Sequence, residues 1–360
     1  MSDIFRIQVF PAQRGDALWI EYGPKDSPFR ILMDGGITKT GREHLIDHID
    51  GLGDEPHIDL LVVTHIDLDH IQGVISLLNE LEKPVTIDSV WFNGWDQLPI
   101  QLEEQGIKEG IALSGILEDQ FKAAWNREAN GKRIGVNDDG SLQVLNLPGG
   151  MKATILSPNK AKLEKLRDDW EEVIEEFGAG EEAEERGEEV PVDDEVDGLE
   201  LMGAVDVDLL ADFPFKEDNT VPNGSSIACL LEFKGKSALL LGDAHPGLVL
   251  ESLKRLSPNA PFKTDCVKVS HHGSKANTSP ALAAHLRSPK WIFSSNGATT
   301  KHPNAEAVAR ILKNSGGKKH FVFNYTTGFN DMWDDDDLRA EHGYTTEYGD
   351  GTGPVAVKLL

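Results

Sequence analysis

The sequence predicts an α/β sandwich, in which sheets pack together and helices cover them. Short apolar runs rich in β-branched residues, such as Leu60–Val63, alternate with segments of helical periodicity. Some strand-like runs follow each other directly, as Ile227–Phe233 and Ser237–Leu241 do across the turn Lys234-Gly235-Lys236. Meander-like pairs of strands among alternating helices favour a sandwich over a simple doubly wound sheet.

The predicted elements follow in chain order. The alternation typical of strands is present in Ile4–Phe10 and Leu18–Tyr22, on either side of the turn Gln13–Ala17. The two glycines of Asp34-Gly35-Gly36 indicate a backbone that passes close to another group. Further strands are predicted at Phe29–Met33, Leu60–Val63, Ser89–Phe92, Gln143–Leu147, Lys152–Leu156, Cys266–Val269, Trp291–Ser294, His320–Tyr325 and Val355–Leu359. Helices are predicted at Gly41–Leu52, Gln72–Leu81, about 101–131 and Asn304–Lys313.

An acidic segment interrupts this pattern. Residues 167–200 contain seventeen Asp or Glu and two Arg, which accounts for −15 of the net charge of −26. We expect a single domain, 1–360, with a mobile, solvated acidic insertion at about 160–220. The alternative is a segment that docks a protein partner, or that mimics a polyanion near the site and inhibits it.

Composition limits the classes of partner. The charge of −26 opposes non-specific attraction to nucleic acid or to anionic membranes, although a local metal-bearing cleft could still take a nucleic-acid substrate. The two cysteines, Cys229 and Cys266, lie in apolar strand-like runs and are expected to be buried, reduced thiols. No run approaches the ~20 apolar residues of a membrane span. We therefore expect a soluble, cytoplasmic protein without a membrane partner.

Residues suited to metal binding follow four strands. Thr64 to Gly73 places His65, Asp67, Asp69 and His70 within six residues, a set that could serve two cations. The other strand ends carry Gly242-Asp243, Ser270-His271-His272-Gly273-Ser274 and, one loop later, Lys301-His302-Pro303. Carboxyl ends of strands gather at one edge of a sheet, so these side chains are expected to meet there. Clustered carboxylates and imidazoles at one edge predict bound cations.

These motifs together resemble the metallo-β-lactamase superfamily. Within it they are most similar to the hydrolase domain of ComEC-type competence (DNA-uptake) proteins. The turn Gln13–Ala17, with Arg14 inside it, resembles the Gly-Gln-Gly-Asp-Ala turn of that group. Asn223 and Ser226 stand where that group has an Asn and a Ser before a strand. The likeness covers about 1–100 and 140–355, and it implies a four-layer αββα sandwich. Asp67 replaces the second His of the superfamily's widespread His-x-His-x-Asp-His pattern, as in the competence-type branch.

The resemblance implies a dinuclear metal centre. One ion would take His65, Asp67 and one of the His271-His272 pair, with His271 the first choice. The other would take Asp69, His70 and His302, and Asp243 would bridge both. We predict catalytic roles for Asp69, Asp243 and His272. Zinc is the first expectation and manganese the second, and two such ions would lower the pKa of a bridging water.

Several further residues are candidates beside the ions. Asp16 and Asp34 either orient ligand imidazoles or cap turns. Ser274 and Lys275 either contact a substrate phosphate or lie in an ordinary surface loop.

Three functions remain open from sequence. The first is a metal-dependent hydrolase of phosphodiester bonds, a nuclease. The second is a hydrolase of a small ester, phosphoester or lactam, which the absence of a clear basic track favours. The third is an interaction subunit that retains a metal site, although all seven predicted ligand positions are filled.

Overall fold

The computed structural model describes residues 2–81, 85–94, 110–168 and 205–360. The predicted helix at about 101–131 and the acidic insertion therefore lie partly outside the described residues. The strands are β1 Asp3–Val9, β2 Leu18–Pro24, β3 Phe29–Met33, β4 His57–Ile58, β5 Leu60–Val62, β6 Thr86–Ile87, β7 Val90–Trp91, β8 Val144–Asn146, β9 Lys152–Ser157, β10 Ala228–Phe233, β11 Lys236–Leu240, β12 Phe262–Lys263, β13 Cys266–Lys268, β14 Leu286–Arg287, β15 Lys290–Phe293, β16 Lys319–Phe323, β17 Tyr344–Tyr348 and β18 Val355–Lys358.

The helices lie between these strands. They are α1 Thr38–Thr40 and α2 Ile46–Asp50, joined by the π-helical turn Gly41–Leu45, then α3 Leu68–Glu80, α4 Gly110–Gln120, α5 Lys160–Asp168, α6 Val207–Ala211, α7 Val221–Gly224, α8 Pro246–Leu256, α9 Pro280–His285, α10 Ala305–Asn314 and α11 Asp336–His342. Helix α3 begins at Leu68, four residues before the predicted start at Gln72. Asp69 and His70 consequently lie in its first turn instead of in the preceding loop.

Two sheets form the centre of the molecule. The first has the order β18-β1-β2-β3-β5-β7, and the second has the order β17-β16-β15-β13-β11-β10-β9-β8. Alternate side chains of each strand point to opposite faces. Ile20 and Val62 of the first sheet therefore pack against Leu240 and Ile292 of the second, in one core between the sheets.

The other face of each sheet is covered by helices. Trp19 and Leu61 of the first sheet pack with Ile71 and Leu77 of α3 in a second core. A third core joins the outer face of the second sheet, including Leu239 and Val267, to α8 and α10. Helix, sheet, sheet and helix thus form four layers, which confirms the predicted αββα sandwich.

The carboxyl ends of the parallel strands meet at one edge. Strand β3 is parallel to β5, and β11, β13 and β15 are parallel to one another. Asp34, Thr64, Gly242 and Ser270 each follow shortly after one of these strands. The turn that contains Asp16 leads from antiparallel β1 into β2 and therefore reaches the same edge.

Candidate metal centre

The carboxylate of Asp243 lies at the centre of a group of imidazoles. Its Oδ2 is 3.2 Å from Nε2 of His70, 3.5 Å from Nε2 of His272, and 3.9 Å from Nε2 of both His65 and His271. Asp243, His65, His70 and His272 are buried, and the side chain of His271 is 17% exposed. Four imidazoles from two segments that are far apart along the chain, 65–70 and 271–272, therefore converge on one carboxylate oxygen.

Each imidazole is held through its other nitrogen. Nδ1 of His70 lies 2.9 Å from Oδ2 of Asp34, and Nδ1 of His272 lies 3.2 Å from Oδ1 of Asp16. A carboxylate oxygen can only accept, so both Nδ1 atoms donate. This leaves Nε2 directed at Asp243, which is the orientation that a carboxylate imposes on a metal-ligating histidine.

His65 is oriented through an intermediate hydroxyl. Oγ1 of Thr64 donates to Oδ2 of Asp34 at 2.8 Å, and it lies 2.9 Å from Nδ1 of His65. Because the single hydroxyl proton is used on Asp34, the hydroxyl oxygen accepts from Nδ1 of His65. Asp34 thus orients two imidazoles. Its own backbone is left-handed, with φ of 58°, a conformation that aspartate tolerates better than most residues.

Close backbone contacts bring these elements together. A Cβ at Gly15 would lie 1.7 Å from the carbonyl oxygen of Asp69, and a Cβ at Gly73 would lie 1.9 Å from that of Gly35. Only glycine permits these approaches. They place the Asp16 turn and the end of β3 directly against the first turns of α3.

Both histidines of the pair turn toward the cluster. His271 and His272 have φ values of 46° and 52°, so the alternation of an extended strand does not apply to them. Nε2 of His272 lies 3.5 Å from Oδ2 of Asp69. From sequence, His302 was predicted to share an ion with Asp69. The His302 ring is buried beside His271, with 5.0 Å between ring centroids, and 6.3 Å from that of His272.

The remaining predicted ligands lie around the same centre. Oδ2 of Asp67 is 3.2 Å from Nε2 of His65. Among the described residues, groups whose ligand atoms all lie within 4.8 Å of one another include His65, His70 and Asp243, and also Asp69, His70 and His272. His271, His302 and Asp67 belong to no such group within the described part of the chain.

Burial and charge act in opposite directions on these carboxylates. Burial alone would raise the pKa of Asp16, but Lys268 and His272 outweigh it and hold the pKa well below its usual value. Lys268 is itself fully buried, and its Nζ donates to Oδ2 of Asp16 and to the carbonyl oxygen of Val269. Ser294 donates to the other oxygen of Asp16. The carboxylate that orients His272 is therefore kept ionised.

The imidazoles respond to the surplus of negative charge. Burial would lower the pKa of His70, but Asp243, Asp34 and Asp69 raise it well above its usual value. The pKa of His272 is raised in the same way by Asp243 and Asp16, against burial. The carboxylates at this centre thus attract positive charge, which either protons or metal cations can supply.

The residues fit divalent metal ions. Within the described residues, the buried Nε2 atoms of His65, His70 and His272 and Oδ1 of Asp243 make no hydrogen bond. Buried polar atoms rarely lack partners, and each of these is a good ligand atom for zinc or manganese. These donor atoms therefore fit a metal centre in type and orientation.

The other predicted residues divide into two groups. Ser226 accepts a hydrogen bond from the backbone N–H of Asp243, and Asn223 donates to Asp218 and lies 3.3 Å from Nδ1 of His271. Both support the centre. Ser274 accepts from the backbone of Ala276, and Nζ of Lys275 lies 3.8 Å from Glu306 and over the ring of Phe213. Ser274 thus packs within its own loop, and Lys275 packs against Glu306 of α10 and against Phe213.

Three residues near the centre were missed from sequence. Lys268 was hidden inside an apolar strand. Asp218 and Asn277 lie in polar segments without a recognisable motif, and both contact His271 or its neighbours. A single buried charge in a β-strand, as at Lys268, is the one sequence signal that could have been used.

The chain matches no protein-family model and no curated protein. Among solved structures, it is similar to the metallo-β-lactamase fold protein YhfI from Bacillus subtilis, at 10% identity over 99% of this chain and 100% of that chain, with a TM-score of 0.44. It is also similar to Igni18, a metallo hydrolase from the archaeon Ignicoccus hospitalis, at 9% identity over 99% and 100%, with a TM-score of 0.44. The Zn2+-bound PqqB from Methylobacterium extorquens aligns at 13% identity over 95% and 87%, with a TM-score of 0.39. All three TM-scores lie below 0.5, so these similarities do not indicate what this chain does.

Proposed function

We propose that the protein is a metal-dependent hydrolase with two divalent ions, zinc first and manganese second. The observation that carries the proposal is the convergence of four Nε2 atoms on Asp243, within 3.9 Å. We assign His65, Asp67 and His271 to the first ion, Asp69, His70 and His272 to the second, and Asp243 to both. His272 thus takes the ligand position that the sequence analysis gave to His302.

The residues of the chain prepare the centre for this chemistry. When bound, a pair of divalent ions lowers the pKa of a water molecule and polarises the bond to be cleaved. Asp34, Asp16 and Thr64 hold the Nδ1 protons of three imidazoles, so that their Nε2 lone pairs face inward. The buried Lys268 keeps Asp16 ionised and hence keeps His272 in this orientation.

The substrate that we propose is a phosphodiester, with nucleic acid as the leading class. The motif likeness to ComEC-type hydrolase domains supports this choice. Burial raises the pKa of Asp69, but His70 and His272 outweigh it and lower the pKa. Arg14, in the Asp16 turn, is close enough to Asp69 to add a smaller lowering effect. A cation at this position suits an anionic substrate.

A small ester, phosphoester or lactam is the second candidate. The net charge of −26 favours it, because a polyanion would be repelled at long range. A panel of single-stranded DNA, double-stranded DNA, RNA, a nitrophenyl phosphodiester and a nitrophenyl ester, each with zinc and with manganese, separates the candidates. Turnover of the ester alone would contradict the phosphodiester assignment.

Two variants test the metal centre directly. We expect His65→Ala and Asp243→Ala each to abolish turnover and to lower the bound metal, while circular dichroism shows the fold retained. His320→Ala is a matched control, because His320 is partly exposed on β16 and its ring nitrogens contact Thr345 and Glu347. Two ions per chain in wild type are expected by elemental analysis. A wild-type protein without transition metal after purification free of chelators would contradict the proposal.

A further inference from the structure

Asp218 lies at the centre of a buried hydrogen-bond network behind His271. Its Oδ1 accepts from the backbone N–H and the hydroxyl of Thr220, at 2.9 and 2.8 Å. Its Oδ2 accepts from the side-chain amides of Asn223 and Asn277, at 2.7 and 2.9 Å. The carboxylate is 5% exposed. Both oxygens are thus used twice, which only an ionised carboxylate can do.

This network fixes the orientation of the Asn277 amide. Nδ2 of Asn277 donates to Asp218 and, at 3.1 Å, to the backbone carbonyl oxygen of Asp243. The reverse orientation would place the amide oxygen against two acceptors and is excluded electrostatically. Oδ1 of Asn277 therefore faces Nδ1 of His271, at 3.0 Å, and accepts its proton.

Nδ2 of Asn223 donates to Asp218 at 2.7 Å and lies farther from Nδ1 of His271, at 3.3 Å. The shorter contact with Asn277 therefore sets a single tautomer for His271. Its proton lies on Nδ1, and its Nε2 lone pair points toward Asp243. The other three imidazoles of the centre obtain the same orientation from Asp34, Asp16 and Thr64. His271 alone obtains it from an amide, and that amide is aligned by the carboxylate of Asp218, whose Oδ2 lies 3.8 Å from Nδ1 of His271.

We propose that Asp218 is a positioning residue of the metal centre: acting through Asn277, it sets the tautomer of His271 so that Nε2 can bind the first ion. This inference rests on the proposed function. Residues 169–204 lie outside the described structure, and Asp218 lies fourteen residues after them. It belongs to the segment that leads into β10 of the second sheet. The backbone N–H of Asp218 donates to Ala276, which fastens this segment to the loop of His271.

The test uses the full chain and the variant Asp218→Asn. An asparagine has one acceptor oxygen in place of two, so either Thr220 or the two amides must lose their partner. We expect affinity for one of the two ions to fall about tenfold or more, as for other partners of metal-bound histidines, with the second ion unchanged. The readout is a titration of metal-free protein with zinc. Asp212→Asn is the matched control, since Asp212 is exposed and pairs with Lys313.

Two further measurements exclude a merely structural effect. In 15N-histidine NMR spectra of the metal-free protein, the His271 signals, assigned with His271→Gln, should indicate the Nδ1–H tautomer in wild type and a mixture in Asp218→Asn. The double variant Asp218→Asn/Asn277→Ala should lose no more zinc affinity than Asn277→Ala alone, because one residue acts through the other.

The outcomes separate the two proposals. Unchanged zinc affinities and an unchanged tautomer in Asp218→Asn would overturn the positioning role. If Asp218→Asn does not fold, the tautomer in Asn277→Ala decides, and a retained Nδ1–H form overturns it. If wild type binds two ions with the expected tautomer but cleaves none of the substrates, the proposed function fails while the positioning role stands.

Discussion

At the scale of single residues, the centre depends on which nitrogen of each histidine carries a proton. Asp34, Asp16, Thr64 and Asn277 each accept an Nδ1 proton, and the four Nε2 atoms converge on one carboxylate. No single residue enforces this arrangement. It follows from pairing every imidazole with an acceptor on its outer side, which directs each Nε2 inward, where it can bind a proton or a metal ion.

The first prediction concerns the buried pair of Lys268 and Asp16. Lys268→Met leaves the Asp16 carboxylate buried without its strongest cationic partner, so we expect the free energy of unfolding to fall by about 3–5 kcal/mol. Lys236→Met removes the more exposed pair with Asp265 and should cost less than about 1 kcal/mol. Urea denaturation measures both. Equal costs would show that the buried pair adds nothing beyond a surface ion pair.

A second prediction concerns pH. The pKa values of His70 and His272 are raised in the folded protein, so in the metal-free form each stabilises the fold fully below pH about 6.5. That contribution is lost as pH rises through the raised pKa, by about 1.4 kcal/mol per pH unit for each group. In the metal-loaded form Nε2 binds the ion and no proton, so this loss is absent.

The difference in Tm between metal-loaded and metal-free protein should therefore grow as pH rises above about 6.5. Calorimetry of zinc binding in buffers of different ionisation enthalpy should show protons released on binding. A Tm difference that is constant with pH, together with no proton release, would mean that His70 and His272 are not ligands.

At the scale of secondary-structure elements, the sequence allows the strand ends to be predicted but not their contacts. Strand β3 was predicted with its observed bounds, and the ends of β5 and β11 within one residue, because apolar runs and glycines mark them. The left-handed backbone at His271 and His272 leaves no pattern in sequence. It brings His272 to Asp69, which alternation along a strand could not have shown.

Contacts between distant segments were the other part that sequence reasoning could not reach. Asp218 and Asn277 are 59 residues apart, and each reads as an ordinary polar residue of a loop. Their roles depend on the packing of the segment before β10 against the loop after β13. Strand β17 was also missed, since its alternating pattern Tyr344–Tyr348 follows an acidic loop and has one polar face.

The third prediction concerns the packing of α3 against the end of β3. Gly73→Ala would place a methyl group 1.9 Å from the carbonyl oxygen of Gly35, so α3 must shift and carry His70 and Asp69 with it. We expect loss of stability and at least a tenfold loss of zinc affinity. Gly115→Ala in α4, where a Cβ meets nothing within 4 Å, should instead stabilise the protein by up to about 1 kcal/mol.

Thermal unfolding and zinc titration measure both effects in the two glycine variants. If Gly73→Ala binds zinc as tightly as wild type, then the position of α3 does not control the metal centre.

At the scale of the whole molecule, two sheets bury one core between them and leave their strand ends open at one edge, where the metal centre lies. Among the described residues, no helix combines the length and the apolar character needed to cross a membrane. The chain carries a net charge of −26, and we propose that its site acts on an anionic substrate. Long-range repulsion and local attraction by the ions therefore oppose each other, and salt screens the first more than the second.

The last prediction follows from this opposition. With single-stranded DNA as substrate, kcat/KM should rise several-fold between about 0.02 and 0.2 M salt, because screening shortens the range of the repulsion to less than about 10 Å. A neutral nitrophenyl ester should show no such rise.

Deleting residues 178–198 changes the net charge from −26 to −17 and should flatten the salt dependence. A variant of full length, with the ten acidic residues of 178–198 replaced by their amides, should behave like the deletion if charge alone is responsible. A fall in kcat/KM with salt would instead show that the chain binds the phosphate backbone through a basic track.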